Sequence, residues 1–150
     1  MDGIVLDGMG EDEYLWLEKG LKKLGFFSKL SLKQLAGVLP YMALVRFDKG
    51  ATVCAEGDPG DGFYLIYEGA VSVTKSGWDK PVATLKSGEF FGEMSLLFRQ
   101  PRTATVRTTK PSRLFALHAK DFARMLKKNP VVARTLRGVA EARRKELAQA

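Results

Sequence analysis

Gly88-Glu-Phe-Phe-Gly-Glu-Met-Ser-Leu-Leu-Phe-Arg-Gln-Pro-Arg-Thr-Ala-Thr-Val-Arg107 interrupts a run of short strand-like segments with about one turn of helix, and it carries the parts of an anion cradle. Gly92 lets the backbone come close to a ligand, and Glu93, Met94 and Ser95 then present free amide N–H groups at the start of the short helix. Pro101 stops that helix. Arg102 is expected to enter a strand over Thr103–Thr108 that places Arg102, Ala104 and Val106 on one face, toward the interior. An arginine aimed into a small barrel is costly unless its charge meets an anion. An acidic side chain such as Glu93 is the ordinary partner. A carboxylate beside a guanidinium and several N–H groups also suits a ribose joined to phosphate.

Around this stretch, from Met42 to Leu117, β-branched and aromatic runs alternate with Gly, Pro and Asp, the pattern of many short strands. Strands are expected at Leu44–Phe47, Ala51–Ala55, Phe63–Tyr67, Ala70–Thr74, Pro81–Leu85, Thr103–Thr108 and Arg113–Leu117, with a short one near Glu89. They make an antiparallel roll or barrel, whose closure removes exposed edges and encloses room for side chains or one small ligand.

Helical spacing flanks the strands. Tyr14, Leu17, Leu21 and Leu24 share one face of a helix from Glu11 to Leu24, stopped by Gly25. Ser31 and Gln34 form a capping box for a second helix with Leu32, Leu35, Ala36 and Leu39 as its stripe, and Pro40 is expected to end it. Ala119–Lys128 turns Phe122, Met125 and Leu126 inward, and Asn129-Pro130 restarts the chain as cap and first helical residue. The last helix carries Val132, Leu136, Val139, Ala140 and Leu147 on one side, with most of Arg134, Arg137, Arg143, Arg144 and Lys145 elsewhere.

The 150 residues are 45% apolar and 27% charged, which is too apolar for a disordered chain and enough to bury ~70% of the unfolded surface. No apolar run approaches the roughly 18 residues of a membrane span, and the opening MDGIVLDGMGEDEY has neither a basic leader nor a hydrophobic signal core, so a cytoplasmic location is expected. The single cysteine, Cys54, excludes an internal disulfide, and with the single histidine, His118, it argues against a structural metal. Six acidic residues against one basic give the first 20 residues a charge of −5, which leaves +12 on the rest of a chain whose total is +7. A basic body favours nucleic acid, acidic protein surfaces or small phosphates without choosing among them.

The quoted stretch resembles the phosphate-binding cassette of the cyclic-nucleotide-binding domains found in catabolite-activator-type regulators, kinase regulatory subunits and cyclic-nucleotide-gated channels. The family pattern F-G-E-x-[AS]-L, a short gap, then R-[TSA]-A reads here as Phe91-Gly92-Glu93-Met94-Ser95-Leu96 and Arg102-Thr103-Ala104. The glycine framework Gly50, Glu56-Gly57-Asp58, Gly60, Tyr64, Ile66, Gly69 and Val71 also matches, and the resemblance covers about Phe26 to Leu147. It implies a mainly β fold with flanking helices: an eight-stranded antiparallel jelly-roll-type β-roll, N-terminal helices, and two C-terminal helices of which the last is a lid. Residues 1–25 then form an acidic leader and helix, its first ten residues frayed, and residues 26–150 the cyclic-nucleotide-binding domain. Phe91, Gly92, Glu93, Met94, Ser95, Arg102, Thr103 and Ala104 would bind the ligand, with Arg102 on the cyclic phosphate and Glu93 on the ribose 2′-hydroxyl. Leu136 and Val139, on the apolar face of the last helix, are candidates for the lid contact. The implied ligand is cAMP, with cGMP open because the Thr103 hydroxyl can meet both a phosphate and a guanine amino group. No further cofactor or metal is implied.

Each residue also has a plainer role. Arg102 alone is a surface or ion-paired residue, and Glu93 alone a helix cap. The segment Glu56–Gly62 is rich in acids but lacks the ligand spacing of a calcium loop and the ending of a nucleoside-triphosphate loop, so a tight turn is expected. His118 fits a cap, Cys54 fits strand packing, and no nucleophile motif surrounds any serine, so an enzyme is not expected. The rival function is an interaction module that binds no nucleotide and docks an acidic partner, or nucleic acid, through the basic terminal helix. A homodimer or protein partner on the C-terminal helices suits the sensor, whereas DNA binding is not expected without a helix-turn-helix.

Overall fold

The computed structural model describes residues 3–6, 8–24, 27–92, 95–96 and 100–149, with the backbone alone for 139–140 and 143–149. In chain order the elements are β1 (Ile4–Val5), α1 (Glu11–Lys23), α2 (Leu32–Val38), β2 (Met42–Phe47), β3 (Thr52–Cys54), β4 (Gly62–Glu68), β5 (Ala70–Thr74), β6 (Ala83–Lys86), β7 (Phe90–Phe91), β8 (Thr105–Thr108), β9 (Ser112–His118), α3 (Ala119–Lys128) and α4 (Pro130–Gln149). The strands pair antiparallel in two sheets, ordered β1-β2-β9-β4-β7 and β3-β8-β5-β6.

Alternation along the larger sheet splits the core in two. Leu44, Phe63, Leu65, Phe115 and Leu117 face the helices and pack with Leu17, Leu21, Leu35, Phe122 and Leu136. Their neighbours Val45, Tyr64, Ile66 and Leu114 face the other way, toward Val53, Val71 and Val106 of the smaller sheet. Helices on one face and a second sheet on the other explain why β4 reads as a nearly unbroken apolar run. Trp16 of α1 packs edge-on to Tyr67 at 4.9 Å and stacked on Phe115 at 5.9 Å, and Arg113 lies over the Tyr67 ring while pairing with Glu68 and Glu13.

Several expectations need correcting. The leader is not frayed at Ile4–Val5, because β1 supplies partners to the otherwise open edge of β2, with Ile4 opposite Arg46 and Val5 opposite Val45. The described residues therefore hold nine strands, eight at the expected places plus β1. The stripe of α2 is Leu35, Val38 and Leu39, while Leu32 is 60% exposed and Ala36 faces solvent. Tyr14 likewise stands 39% exposed beside the buried Leu17 and Leu21. Pro40 does not force the preceding residue out of the helical region. Leu39 keeps φ −52° and ψ −41°, and a 3₁₀ turn over Leu39–Tyr41 takes Pro40 into its first turn, where a missing N–H costs nothing. The capping box is present, with Gln34 N–H donating to Ser31 Oγ at 3.2 Å and Ser31 N–H to Gln34 Oε1 at 2.8 Å. Gly25, the expected stop of α1, lies outside the described residues.

Candidate functional site

Arg102 reaches the interior from a connection and not from a strand, since β8 begins only at Thr105. Its main chain is bolted instead to the turn that precedes β4: Arg102 N–H donates to the Asp58 carbonyl and Gly57 N–H to the Arg102 carbonyl, both at 2.8 Å. A bend at Thr103–Ala104 then breaks the simple alternation. The arginine nevertheless faces inward and is 8% exposed.

The guanidinium is partly satisfied. Nη1 donates to Ser95 Oγ at 3.0 Å, and Nη2 to the Gly62 carbonyl at 2.7 Å and to Asp61 Oδ1 at 3.2 Å. Nε is buried and has no hydrogen-bond partner among the described residues. Asp61 is the single carboxylate on this group among the described residues, and its side chain is 53% exposed, so water shares its charge. Gly92 is the residue that makes room. Its φ of +82° suits glycine, and a Cβ there would stand 2.5 Å from Arg102 Nη1 and 2.6 Å from the Gly62 carbonyl oxygen.

A cavity of about 350 Å³ opens beside this arrangement. Phe91, Gly92, Ser95, Arg102, Thr103 and Ala104 all line it, so the structure brings together the six described members of the expected ligand set. Glu93 and Met94 lie outside the described residues. Leu136 is fully buried in the helical half of the core and does not line the cavity, and the Val139 side chain is outside the described part. Val73, Val106, Phe90 and Cys54 complete an apolar wall, and Arg102 is the one charged group among the described lining residues. Burial pushes the Cys54 thiol above its ordinary range, with the Arg102 charge pulling the other way, so the wall contributes no competing anion near neutrality. Tyr64, stacked on Phe91 at 5.2 Å, has its phenol raised by burial first and by Asp61 second.

Sequence reasoning missed Asp61 as the arginine's partner, because the two are 41 residues apart and Asp61 stood out only as one acid of a turn. Cys54 packs against the core between the sheets, as expected, and in addition lines the cavity. The segment Glu56–Gly62 is the connection from β3 to β4. Glu56 accepts from Ser76 N–H at 3.0 Å, which holds its carboxyl below the usual range, and its own N–H donates to Thr105 Oγ1 at 3.0 Å. No group of three His, Cys, Asp or Glu among the described residues is arranged to hold a metal ion. His118 caps α3, its Nδ1 accepting from Lys120 N–H at 3.1 Å. No helix among the described residues is long and apolar enough to cross a membrane.

A roll with a buried arginine over a glycine, beside a cavity with an apolar wall, is a geometry that can hold an anionic ligand. Residues 44–129 match the family model of the cyclic nucleotide-binding domain, and the chain belongs to that family. It is similar to a cAMP-dependent protein kinase regulatory subunit of Aspergillus niger, 33% identical over 109 residues that make up 73% of this chain and 26% of that protein. Among solved structures it is similar to the N-terminal domain of a transcriptional regulator from Streptomyces coelicolor A3(2), with TM-score 0.77, 33% identity, and 87% of this chain and 92% of that chain covered. It is also similar to the regulatory domain of Toxoplasma gondii PKA in complex with cAMP, with TM-score 0.73, 28% identity, and 79% and 46% covered. The chain spans about a quarter to a third of the length of the curated relatives it matches.

Proposed function

We propose that the chain is a cyclic-nucleotide sensor that takes a 3′,5′-cyclic nucleotide, cAMP in preference to cGMP, into the cavity beside Arg102. The observation that carries this is the buried Arg102 Nε, a charged donor with no partner among the described residues, in a cavity whose described lining holds no other charge. A buried guanidinium that meets, among the described residues, one half-exposed carboxylate leaves room for a further anion, and a cyclic phosphate supplies it together with acceptors for Nε and Nη1. Glu93 takes the ribose 2′-hydroxyl. Phe91, Gly92, Met94, Ser95, Thr103 and Ala104 form the remainder of the ligand contact. Two relatives support the choice of ligand: the kinase regulatory subunit is named for cAMP, and the Toxoplasma domain was solved with it.

Residues 26–150 act as the sensor unit and 1–25 as its acidic leader and helix. The unit works in the cytoplasm as a regulatory piece and not as an enzyme. Binding moves the C-terminal helices, with Leu136 and Val139 on the lid face, because the ligand prefers one of their arrangements; a protein partner or second copy on those helices receives the signal.

Thermal unfolding with cAMP, cGMP and a cyclic dinucleotide tests this. A ligand held by the native state at ~100 times its dissociation constant adds ~2.7 kcal/mol. The expected result is a clear rise with cAMP that Arg102→Ala abolishes while remaining folded. A midpoint unmoved by all three ligands, or an Arg102→Ala protein that responds like its parent, overturns the assignment.

A further inference from the structure

We propose that a second cavity, lined by Asp61 and Asp121 over an apolar floor, binds a small organic ammonium ion and tunes Arg102 through Asp61. The site itself stands apart from the cyclic-nucleotide assignment, and only its effect on Arg102 rests on that reading. The cavity measures about 200 Å³ and is lined from β1, β2, β4, β9 and the start of α3. Its floor follows from strand register. Ala43 lies opposite Ala116 and Ala116 opposite Tyr64, so two methyl groups stand in a row whose neighbour on the same face carries Val45, Leu114 and Ile66. The small side chains leave a hollow, bordered by Val45 and, from β1, by Val5.

The polar part of the lining is acidic. Gly62 pairs with His118, and Ala119 N–H donates to the Asp61 carbonyl at 2.8 Å, which pins the start of β4 to the β9–α3 junction. Asp61, His118 and Asp121, the last in the first turn of α3, thereby line one cavity, and its described lining holds no Lys or Arg. In a chain of net charge +7 that is a local reversal of sign. Asp121 accepts from Arg124 at 3.3 Å, but these side chains are 39% and 66% exposed, so the pair is weak and yields to a better-placed cation. No three His, Cys, Asp or Glu among the described residues are arranged to hold a metal ion, and an apolar floor offers an inorganic ion nothing. An ammonium group on a short apolar body satisfies both parts, with its charge at the carboxylates and its body on Ala43, Ala116 and Tyr64. Asp61 joins this cavity to the first. It lines the second and not the first, yet its Oδ1 accepts from Arg102 Nη2. Gly62, also in the second lining, gives the same Nη2 its carbonyl, and Tyr64 stacks on Phe91 of the first. A cation that draws on Asp61 leaves the Arg102 charge less compensated and more open to an anion, and linkage makes the effect mutual.

Amide NMR spectra of the whole chain, titrated with 2-phenylethylammonium and with the neutral 2-phenylethanol, test the site. The amine should shift the amides of Ala43, Gly62, Ala116 and Asp121 saturably, and the alcohol should bind about tenfold more weakly, the worth of one charge-assisted bond. Asp121→Asn, which leaves the apolar floor untouched, should weaken the amine by a similar factor. With the amine saturating, calorimetric titration should show cAMP bound about fivefold more tightly, at the low end of ordinary coupling because Asp61 is half exposed. Shifts that do not saturate, amine and alcohol binding alike, or an Asp121→Asn protein that binds the amine as its parent does, overturn the site. A saturable amine site with unchanged cAMP affinity overturns the link through Asp61. A parent that binds the amine but no cAMP leaves the site standing and overturns the cyclic-nucleotide assignment.

Discussion

Replacing Gly92 by alanine separates the two demands made on that residue. The first is backbone conformation: an L-residue at φ +82° costs roughly 1–2 kcal/mol. The second is space, because the new methyl would lie 2.5 Å from Arg102 Nη1 and 2.6 Å from the Gly62 carbonyl, pushing apart the 2.7 Å hydrogen bond between that carbonyl and Nη2. A charge-assisted bond of this kind contributes about 1.5–3 kcal/mol, so the full cost comes to about 2.5–5 kcal/mol. Gly88 is the internal control. Its φ is +87°, yet nothing lies within 4 Å of a Cβ there, so Gly88→Ala bears only the conformational cost. With a midpoint shift of about 2–4 °C per kcal/mol for a chain of this size, Gly88→Ala should melt roughly 2–8 °C below the parent and Gly92→Ala roughly 5–20 °C below. Differential scanning calorimetry with and without cAMP reads both effects. Gly88→Ala should keep its ligand-dependent rise and Gly92→Ala should lose it. If the two variants melted together and both responded to cAMP, Arg102 would not be held across residue 92 and the account of the cradle would fail.

Asp61→Asn removes the carboxylate that pairs with Arg102 among the described residues; the ligand-free protein should lose up to about 1 kcal/mol, a small sum because Asp61 is half exposed, while the rise produced by cAMP should grow, as measured by paired melts. The Glu68 carboxyl is held below its ordinary range, first by its hydrogen bond from Arg113, so its contribution to stability is present above the unfolded-state value and is lost as pH falls through the lower folded-state value. Urea titrations between about pH 5 and 3 should therefore show a slightly flatter acid limb for Glu68→Gln than for the parent, by well under 1 kcal/mol because the pair is exposed. Leu35→Ala should cost about 2–5 kcal/mol in the same titrations, whereas Leu32→Ser, at a position 60% exposed, should stay within about 0.5 kcal/mol of the parent.

The Leu32 and Leu35 contrast shows where the sequence is informative and where it is not. Periodicity located α2 and its cap, because the Ser31–Gln34 exchange is local chemistry. It could not rotate the helix correctly, since which leucine faces inward depends on how α2 meets α1 and the sheet. The strands between residues 42 and 118 were legible because glycines and prolines punctuate them. β1 was not, as two residues become a strand only when a neighbouring edge offers them partners. The site divides the same way. Phe91, Gly92, Ser95 and Arg102 through Ala104 lie close enough in the chain to read as one motif, and they do meet around one cavity. Asp61, Cys54 and Val73 join them only through strand pairing. Extending β8 back to Arg102 failed because the main chain there is captured by Gly57 and Asp58.

The pairing of β2 with β9 sets a limit on how the protein can be born. Met42 lies opposite Leu117 and Phe47 opposite Ser112, so the middle of the larger sheet joins an early strand to the last one. A nascent chain emerging from the ribosome therefore carries the β9-facing edge of β2 unpaired until every later strand has been made, and loop-closure entropy delays nucleation further. During that interval the open edge and its apolar side chains are free to meet those of a neighbouring chain.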